Sequence, residues 1–357
     1  MFIALRDLRF ARGRFALLSG VIALMTLMVV LLTGLTDGLR AASISAVAAL
    51  PVDAIAFDRP EPGQAASFAS STLPADAAGR LARQPGVRAA FPLGVATARL
   101  THRTASTTVA VLGADPGLYP ELQSGHIPGG GGDEVAVSAD LARERSITVG
   151  DRVDLGGIPV TVTAIVAATT FNHLPVAYLP LATWQAVAHT ETVTAVALTG
   201  PGADPAAIGA ATGTWTVSRE EAFAAVGGYS SEQGSLNLMR ALLFAISALV
   251  VGAFFTVWTM QRAPDLAVVR ALGAGRGYLL RDALGQAIVV LAAGALVGGG
   301  AGTGLGALAA TVMPFQLTLA TVGTPLCTMI LVGLLGAAAS VRQVTTVDPL
   351  TALGATR

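Results

Sequence analysis

The chain reads as an α-helical membrane protein with four transmembrane helices and an α+β extracytoplasmic domain inserted between the first and the second. Three observations predict this. Of the 357 residues, 53 % are hydrophobic and only 12 % are charged, against about 25 % charged in soluble domains. Residues 15–36, 241–261 and 283–341 carry no charge at all. The third of these runs exceeds the ~20 residues that one crossing needs, and Pro314 and Pro325 punctuate it. Residues 38–235 are of another kind, with turn formers, charges and short alternating apolar runs.

Residues 1–14 set Arg6, Arg9, Arg12 and Arg14 against Phe2, Leu5 and Leu8, the pattern of an amphipathic helix on a membrane surface. Residues 15–37 form the first transmembrane helix. Their apolar run exceeds the about 7–15 residues of a cleaved signal peptide, so a retained anchor is expected. In the domain, 38–235, residues 87–100 and 107–112 read as strands, 74–84 and 138–145 as short helices. Residues 149–165 read as strand, turn and strand about Gly156 and Gly157. The second transmembrane helix is 236–260. Residues 261–282 form a cytoplasmic coupling helix and loop, followed by a third span at 283–312. A short external turn at 313–323 leads to the fourth span at 324–341 and a cytoplasmic tail at 342–357. Gly294, Gly298, Gly299, Gly300, Gly302, Gly304 and Gly306 crowd the third span, and small residues there let helices approach closely.

Arginine placement orients the chain. Positions 6, 9, 12, 14, 262, 270, 276, 281, 342 and 357 fall on one side with four acids, Asp7, Asp265, Asp282 and Asp348. The positive-inside rule puts that side, with both termini, in the cytoplasm. All 22 basic residues are arginine, so a Walker A loop, which needs lysine, is impossible. Any ATP must be bound by another chain. The net charge is zero, and no nucleic-acid partner is expected. His102, His126, His173 and His189 are scattered, without metal-ligand spacing, and are expected to be satisfied surface or core histidines. No GxSxG elbow occurs. The expectation is therefore a non-catalytic subunit, with no catalytic residue, no metal site and no bound cofactor. Span cores without charge leave no carrier for an ion relay.

The segment between the second and third spans is helix-like. Pro264 suits a first turn and Gly273 a C-terminal cap. Leu266, Val269 and Leu272 form an apolar stripe. Arg270–Ala274 (Arg-Ala-Leu-Gly-Ala), preceded by Asp265, Leu266 and Ala267, resembles the coupling loop of the MacB/FtsX/LolE-type ABC transporter permeases, where the acidic position is usually Glu. Val347–Leu353 (Val-Asp-Pro-Leu-Thr-Ala-Leu) resembles the family's C-terminal signature, and Ala4–Arg9 its opening. The resemblance implies that Arg262, Asp265, Leu266, Val269, Arg270, Leu272 and Gly273 couple to an ABC ATPase subunit. It further implies two copies of that ATPase, which hold ATP and Mg, a second copy of this chain, and a multi-pass position in a bacterial cytoplasmic membrane.

Tyr229 and Glu232 lie three apart just before the second span, Met25 and Met28 lie three apart in the first, and Met239 begins the second. A phenol, a carboxylate and thioethers in one pocket suit haem iron or another amphipathic macrocycle. The competing role is an interfacial anchor for Tyr229 and packing for the methionines. The compact four-span layout resembles the HrtB-type haem exporter permeases. It implies mechanotransmission: ATP-driven movement of the coupling segment expels haem or a similar amphipathic toxic compound as substrate. Peptide, antibiotic or lipid-linked cargo is an alternative. So is FtsX-like signalling across the membrane to an extracellular cell-wall hydrolase.

Overall fold

A computed structural model describes residues 12–129, 132–261 and 275–345. The readings that fall on 1–11, 262–274 and 346–357 lie outside the described residues. The helices are α1 (Arg12–Ala48), α2 (Ala77–Leu81), α3 (Ala139–Arg145), α4 (Leu181–Ala188), α5 (Pro205–Thr212), α6 (Tyr229–Gln261), α7 (Arg276–Ala309) and α8 (Leu319–Thr345). The strands are β1 (Ala54–Phe57), β2 (Ala89–His102), β3 (Ala105–Gly113), β4 (Leu122–Gly125), β5 (Glu134–Ser138), β6 (Arg152–Leu155), β7 (Ile158–Val166), β8 (Thr170–Phe171), β9 (Leu174–Leu179), β10 (Ala195–Thr199) and β11 (Trp215–Ser218). The chain divides into a membrane unit, up to Gly38 and from Gly234, and a domain, Leu39–Gln233.

Among the described residues, four helices are long and apolar enough to cross a bilayer: Phe15–Ala48, Tyr229–Trp258, Leu284–Ala309 and Leu319–Ala339. Their ends differ from expectation. The first helix was expected to stop at residue 37, but α1 runs to Ala48. Asp37 and Arg40 end the apolar run, not the helix, because Ile44 and Val47 go on to bury themselves in the domain core. In the same way α6 starts at Tyr229, before the expected 236. Pro325, read from sequence as a boundary, lies inside α8. The helix starts earlier because Thr318 and Thr321 cap it reciprocally. Thr321 donates its N–H to the Thr318 Oγ1 at 3.1 Å, and Thr318 donates its own to the Thr321 Oγ1 at 2.8 Å, a threonine version of the capping box.

Phe15, Leu18 and Ile22 of α1, Val251 and Phe255 of α6, Val290 and Leu291 of α7 and Ala337 of α8 build the core of the membrane unit. Trp258 closes it edge-on to Phe15, ring centroids 5.7 Å apart. Gly294, Gly298 and Gly302 recur every fourth residue on α7 and turn one bare stripe to α1. Added Cβ atoms there would meet Ile22, the Ala23 carbonyl and Val30. These three glycines are thus packing devices, whereas Gly300 and Gly304 have open space where a Cβ would go. Leu24, Leu249, Leu296 and Leu335 stay exposed, as side chains facing lipid do.

The domain is built on one mixed sheet in the order β11-β1-β10-β2-β3-β9-β5-β7-β4, with β6 against β2 and β7 and β8 against β9. Two pairings are parallel, β3 with β9 and β5 with β7. Alternation along β3 divides two cores: Ala110 and Leu112 face one, Val109 and Val111 the other. The first core also takes Ile44, Val47 and Leu50 from α1 and the loop that follows it, together with Phe223 and Val226 just before α6. Tyr178, 1 % exposed, crosses this core and shares a 2.8 Å hydrogen bond with Thr169. The sequence reading of strands near 87–100 and 107–112 corresponds to β2 and β3, and 149–165 to the β6–β7 hairpin.

Candidate functional site

The β8–β9 hairpin turns on only two residues. Phe171 pairs with Leu174, and between them Asn172 and His173 take φ of 48° and 64°. Two successive left-handed residues define the type I′ turn that suits the twist of a two-residue hairpin. The turn rests on the end of α1. Asn172 donates its backbone N–H to the Ser43 carbonyl at 2.8 Å, and His173 donates its own to the Ala42 carbonyl at 2.9 Å. Ser45 and Thr170 add a hydroxyl pair at 2.9 Å. The backbone of the turn is therefore held, and the His173 ring is aimed.

That ring meets Glu232. His173 Nε2 lies 3.3 Å from Glu232 Oε2 and 3.1 Å from Ser43 Oγ, while Ser43 Oγ lies 3.3 Å from the same Oε2. An ionised carboxylate only accepts, so Nε2 carries the proton and donates to it. Ser43 has a single proton to give, to Glu232 or to the Leu39 carbonyl 3.0 Å away. Ser43 is buried, at 1 % exposure. The side chains of His173 and Glu232 are 41 % and 24 % exposed. The three residues resemble a hydrolytic set in composition but not in geometry. Both serine and carboxylate sit on one imidazole nitrogen, whereas a nucleophilic triad needs them on opposite nitrogens. Nucleophilic catalysis is not what this arrangement does. It fixes one oxygen of a carboxylate. Oε1 of Glu232 makes no hydrogen bond among the described residues.

Glu232 stands in the first turn of α6, with its N–H on the Gly228 carbonyl at 2.9 Å. Tyr229, three residues before it, packs partly buried against the first core and edge-on to Phe223, centroids 6.4 Å apart. Its ring thus serves packing. Met25, Met28 and Met239 belong to the membrane unit, outside the domain that carries the cluster. Met25 is half-buried there, and Met28 and Met239 are each 49 % exposed. The coupling residues Arg262, Asp265, Leu266, Val269, Arg270, Leu272 and Gly273 lie outside the described residues. Sequence reasoning did not bring Ser43 and His173 to Glu232; His173 was expected to be a satisfied histidine, and its ring is satisfied by Ser43 and Glu232. The signal available was Asn-His between the pairs Thr-Phe and Leu-Pro, a two-residue turn candidate.

His102 does behave as a satisfied core histidine. It is 6 % exposed, its Nδ1 lies 3.3 Å from the Arg145 carbonyl, and its Nε2 lies 3.6 Å from Asp151 Oδ2. Hydrogen bonds from the Thr148 backbone and hydroxyl hold the Asp151 carboxyl below its usual range, with His102 a lesser cause. Burial pushes the Tyr178 and Tyr119 phenols up, so neither supplies a proton near neutral pH. Among the described residues no group of three potential metal ligands occurs.

Residues 15–214 match the family model of the MacB-like periplasmic core domain, and residues 237–349 match that of the FtsX-like permease C-terminal region. An uncharacterized ABC transporter permease of Mycobacterium tuberculosis is 30 % identical over 371 residues, covering 99 % of both chains. A protein of Staphylococcus haemolyticus named for hemin transport, permease HrtB, is 27 % identical over 358 residues, again covering 99 % of both. Among solved structures, the periplasmic region of MacB from Actinobacillus actinomycetemcomitans is similar at 13 % identity and a TM-score of 0.39, over 50 % of this chain and 92 % of that one.

Proposed function

Given that this chain belongs to the MacB-like and FtsX-like permeases of ABC transporters, we propose that it is the membrane subunit of an exporter that expels haem or a similar amphipathic compound. A permease of this class works with an ATPase, and a chain without lysine cannot itself form a Walker A loop. Two copies of the permease with two ATPase subunits, termini in the cytoplasm, would couple ATP-driven movement of the segment around Arg270 to the spans.

One observation carries the choice of substrate: Glu232, in the first turn of a spanning helix, keeps one carboxylate oxygen unengaged among the described residues. A hard anionic oxygen suits ferric iron. The named hemin-transport relative aligns over the full length of the chain, which favours the same class. The test is a titration of the purified permease with haemin, read in the Soret band. Saturable binding that Glu232→Gln abolishes or spectrally changes supports the reading, together with lower haem tolerance in cells carrying the variant. Equal binding and equal protection by Glu232→Gln would remove Glu232 from the site.

A further inference from the structure

We infer that His173 and Ser43 are positioning residues for Glu232: they hold Oε2 and thereby present Oε1 to an electron-poor ligand. The inference rests on the reading of Glu232 as a ligand-binding group, but it is argued from different atoms. A glutamate side chain in the first turn of a helix has three free torsions and the rotamer entropy that goes with them to lose. Left alone, it would sample many directions. Here two side chains from separate elements meet the same oxygen, the imidazole of the β8–β9 turn and the hydroxyl of α1, whose single proton is shared between Oε2 and the Leu39 carbonyl. Both donors are themselves fixed. Ser43 is buried within a helix, and His173 is bound through its own backbone N–H to the Ala42 carbonyl at 2.9 Å.

The consequence is directional. With Oε2 engaged by His173 and Ser43, the oxygen left to a ligand is Oε1, which makes no hydrogen bond among the described residues. Ligating carboxylates are commonly oriented in this way by outer partners, whose loss costs about 10–100-fold in affinity. The ligand class that fits is a Lewis acid or a cation carried on an apolar body, because one hard oxygen is offered beside the start of a spanning helix. The bracket is also long-range: its members are 130, 189 and 59 residues apart in sequence. It exists only when α1, the hairpin and α6 are all in place.

Two measurements on the full-length purified permease test this. The first titrates haemin into wild type, His173→Ala, Ser43→Ala and His173→Gln. Removing the imidazole is expected to weaken binding about tenfold while the spectrum of the bound haem keeps its form. His173→Gln, whose amide can donate, is expected to recover most of the loss. A changed spin state or Soret position in His173→Ala would make His173 an iron ligand itself and overturn the positioning role. The second measurement needs no haem. A double-mutant cycle of His173→Ala and Glu232→Ala, read in thermal unfolding of the purified permease, measures the coupling of the two side chains. The two substitutions are expected to be non-additive, the double variant melting closer to each single variant than their summed shifts predict. Additive shifts overturn the bracket. If the shifts are coupled but wild type binds no haemin, the bracket stands and the haem reading falls.

Discussion

Gly298 of α7 lies so close to the carbonyl of Ala23 in α1 that no Cβ fits between them. A stripe without side chains lets the two backbones touch, and the same spacing brings Gly294 and Gly302 onto α1. Gly298→Ala is expected to cost about 1–3 kcal/mol by overpacking. Gly304, with open space where a Cβ would go, is the control. Gly304→Ala should be neutral or gain up to about 1 kcal/mol in helix propensity. The fraction of monodisperse detergent-solubilised protein surviving a temperature ramp separates the two.

Tyr178 carries the largest buried polar side chain of the domain, and its hydroxyl answers Thr169 at 2.8 Å. Tyr178→Phe should destabilise the domain by about 1–3 kcal/mol, since a buried Thr169 hydroxyl loses its partner. A second change, Thr169→Val, should recover part of that loss, because both polar groups are then gone. Thermal unfolding followed by circular dichroism measures both.

Asp151 predicts a pH dependence. Its carboxyl is held below the ordinary carboxylate range, first by the Thr148 N–H and then by the Thr148 hydroxyl. The folded state favours the anion, so this contribution is present above the ordinary range and is lost as pH falls through the depressed value. Asp151→Asn should lower the unfolding midpoint at neutral pH. The gap to wild type should close as pH falls through that depressed value.

Topology has a direct check. With Cys327, the single and exposed cysteine, replaced by Ser, Gln64→Cys should react with a membrane-impermeant maleimide on intact cells. Gly275→Cys should react only after the membrane is opened. The reverse pattern would invert the orientation and remove the cytoplasmic role of the segment before α7.

The purified permease alone should hydrolyse no ATP above background, and adding its ATPase should produce activity. Turnover by this chain by itself would contradict the argument from the missing lysine.

Apolar run length made the four spans legible, because bilayer thickness sets it and no tertiary contact is needed to read it. Alternation likewise exposed β2 and β3. Helix ends were less legible. α1 continues past Asp37 because Ile44 and Val47 leave the bilayer requirement behind and answer to a protein core instead. The spacing of Tyr229 and Glu232 was readable from i, i+3 periodicity, yet their partners were not. Ser43 looked like one more small residue in a helix end. His173 reaches Glu232 only through a turn whose geometry depends on two positive φ values. Tyr229 was expected to contact a ligand from its position, and its edge-on contact with Phe223 was not readable from spacing.

The same turn bears on selection. A hairpin chosen for stability alone would place glycine at its second left-handed position, where a side chain costs about 1–2 kcal/mol. This chain spends that amount at φ 64° on an imidazole instead. His173→Gly should therefore relieve local strain, less the extra chain entropy that glycine loses on folding, and raise the melting temperature slightly while disabling the bracket. Position 173 would then be a place where thermostability and the proposed bracket pull in opposite directions.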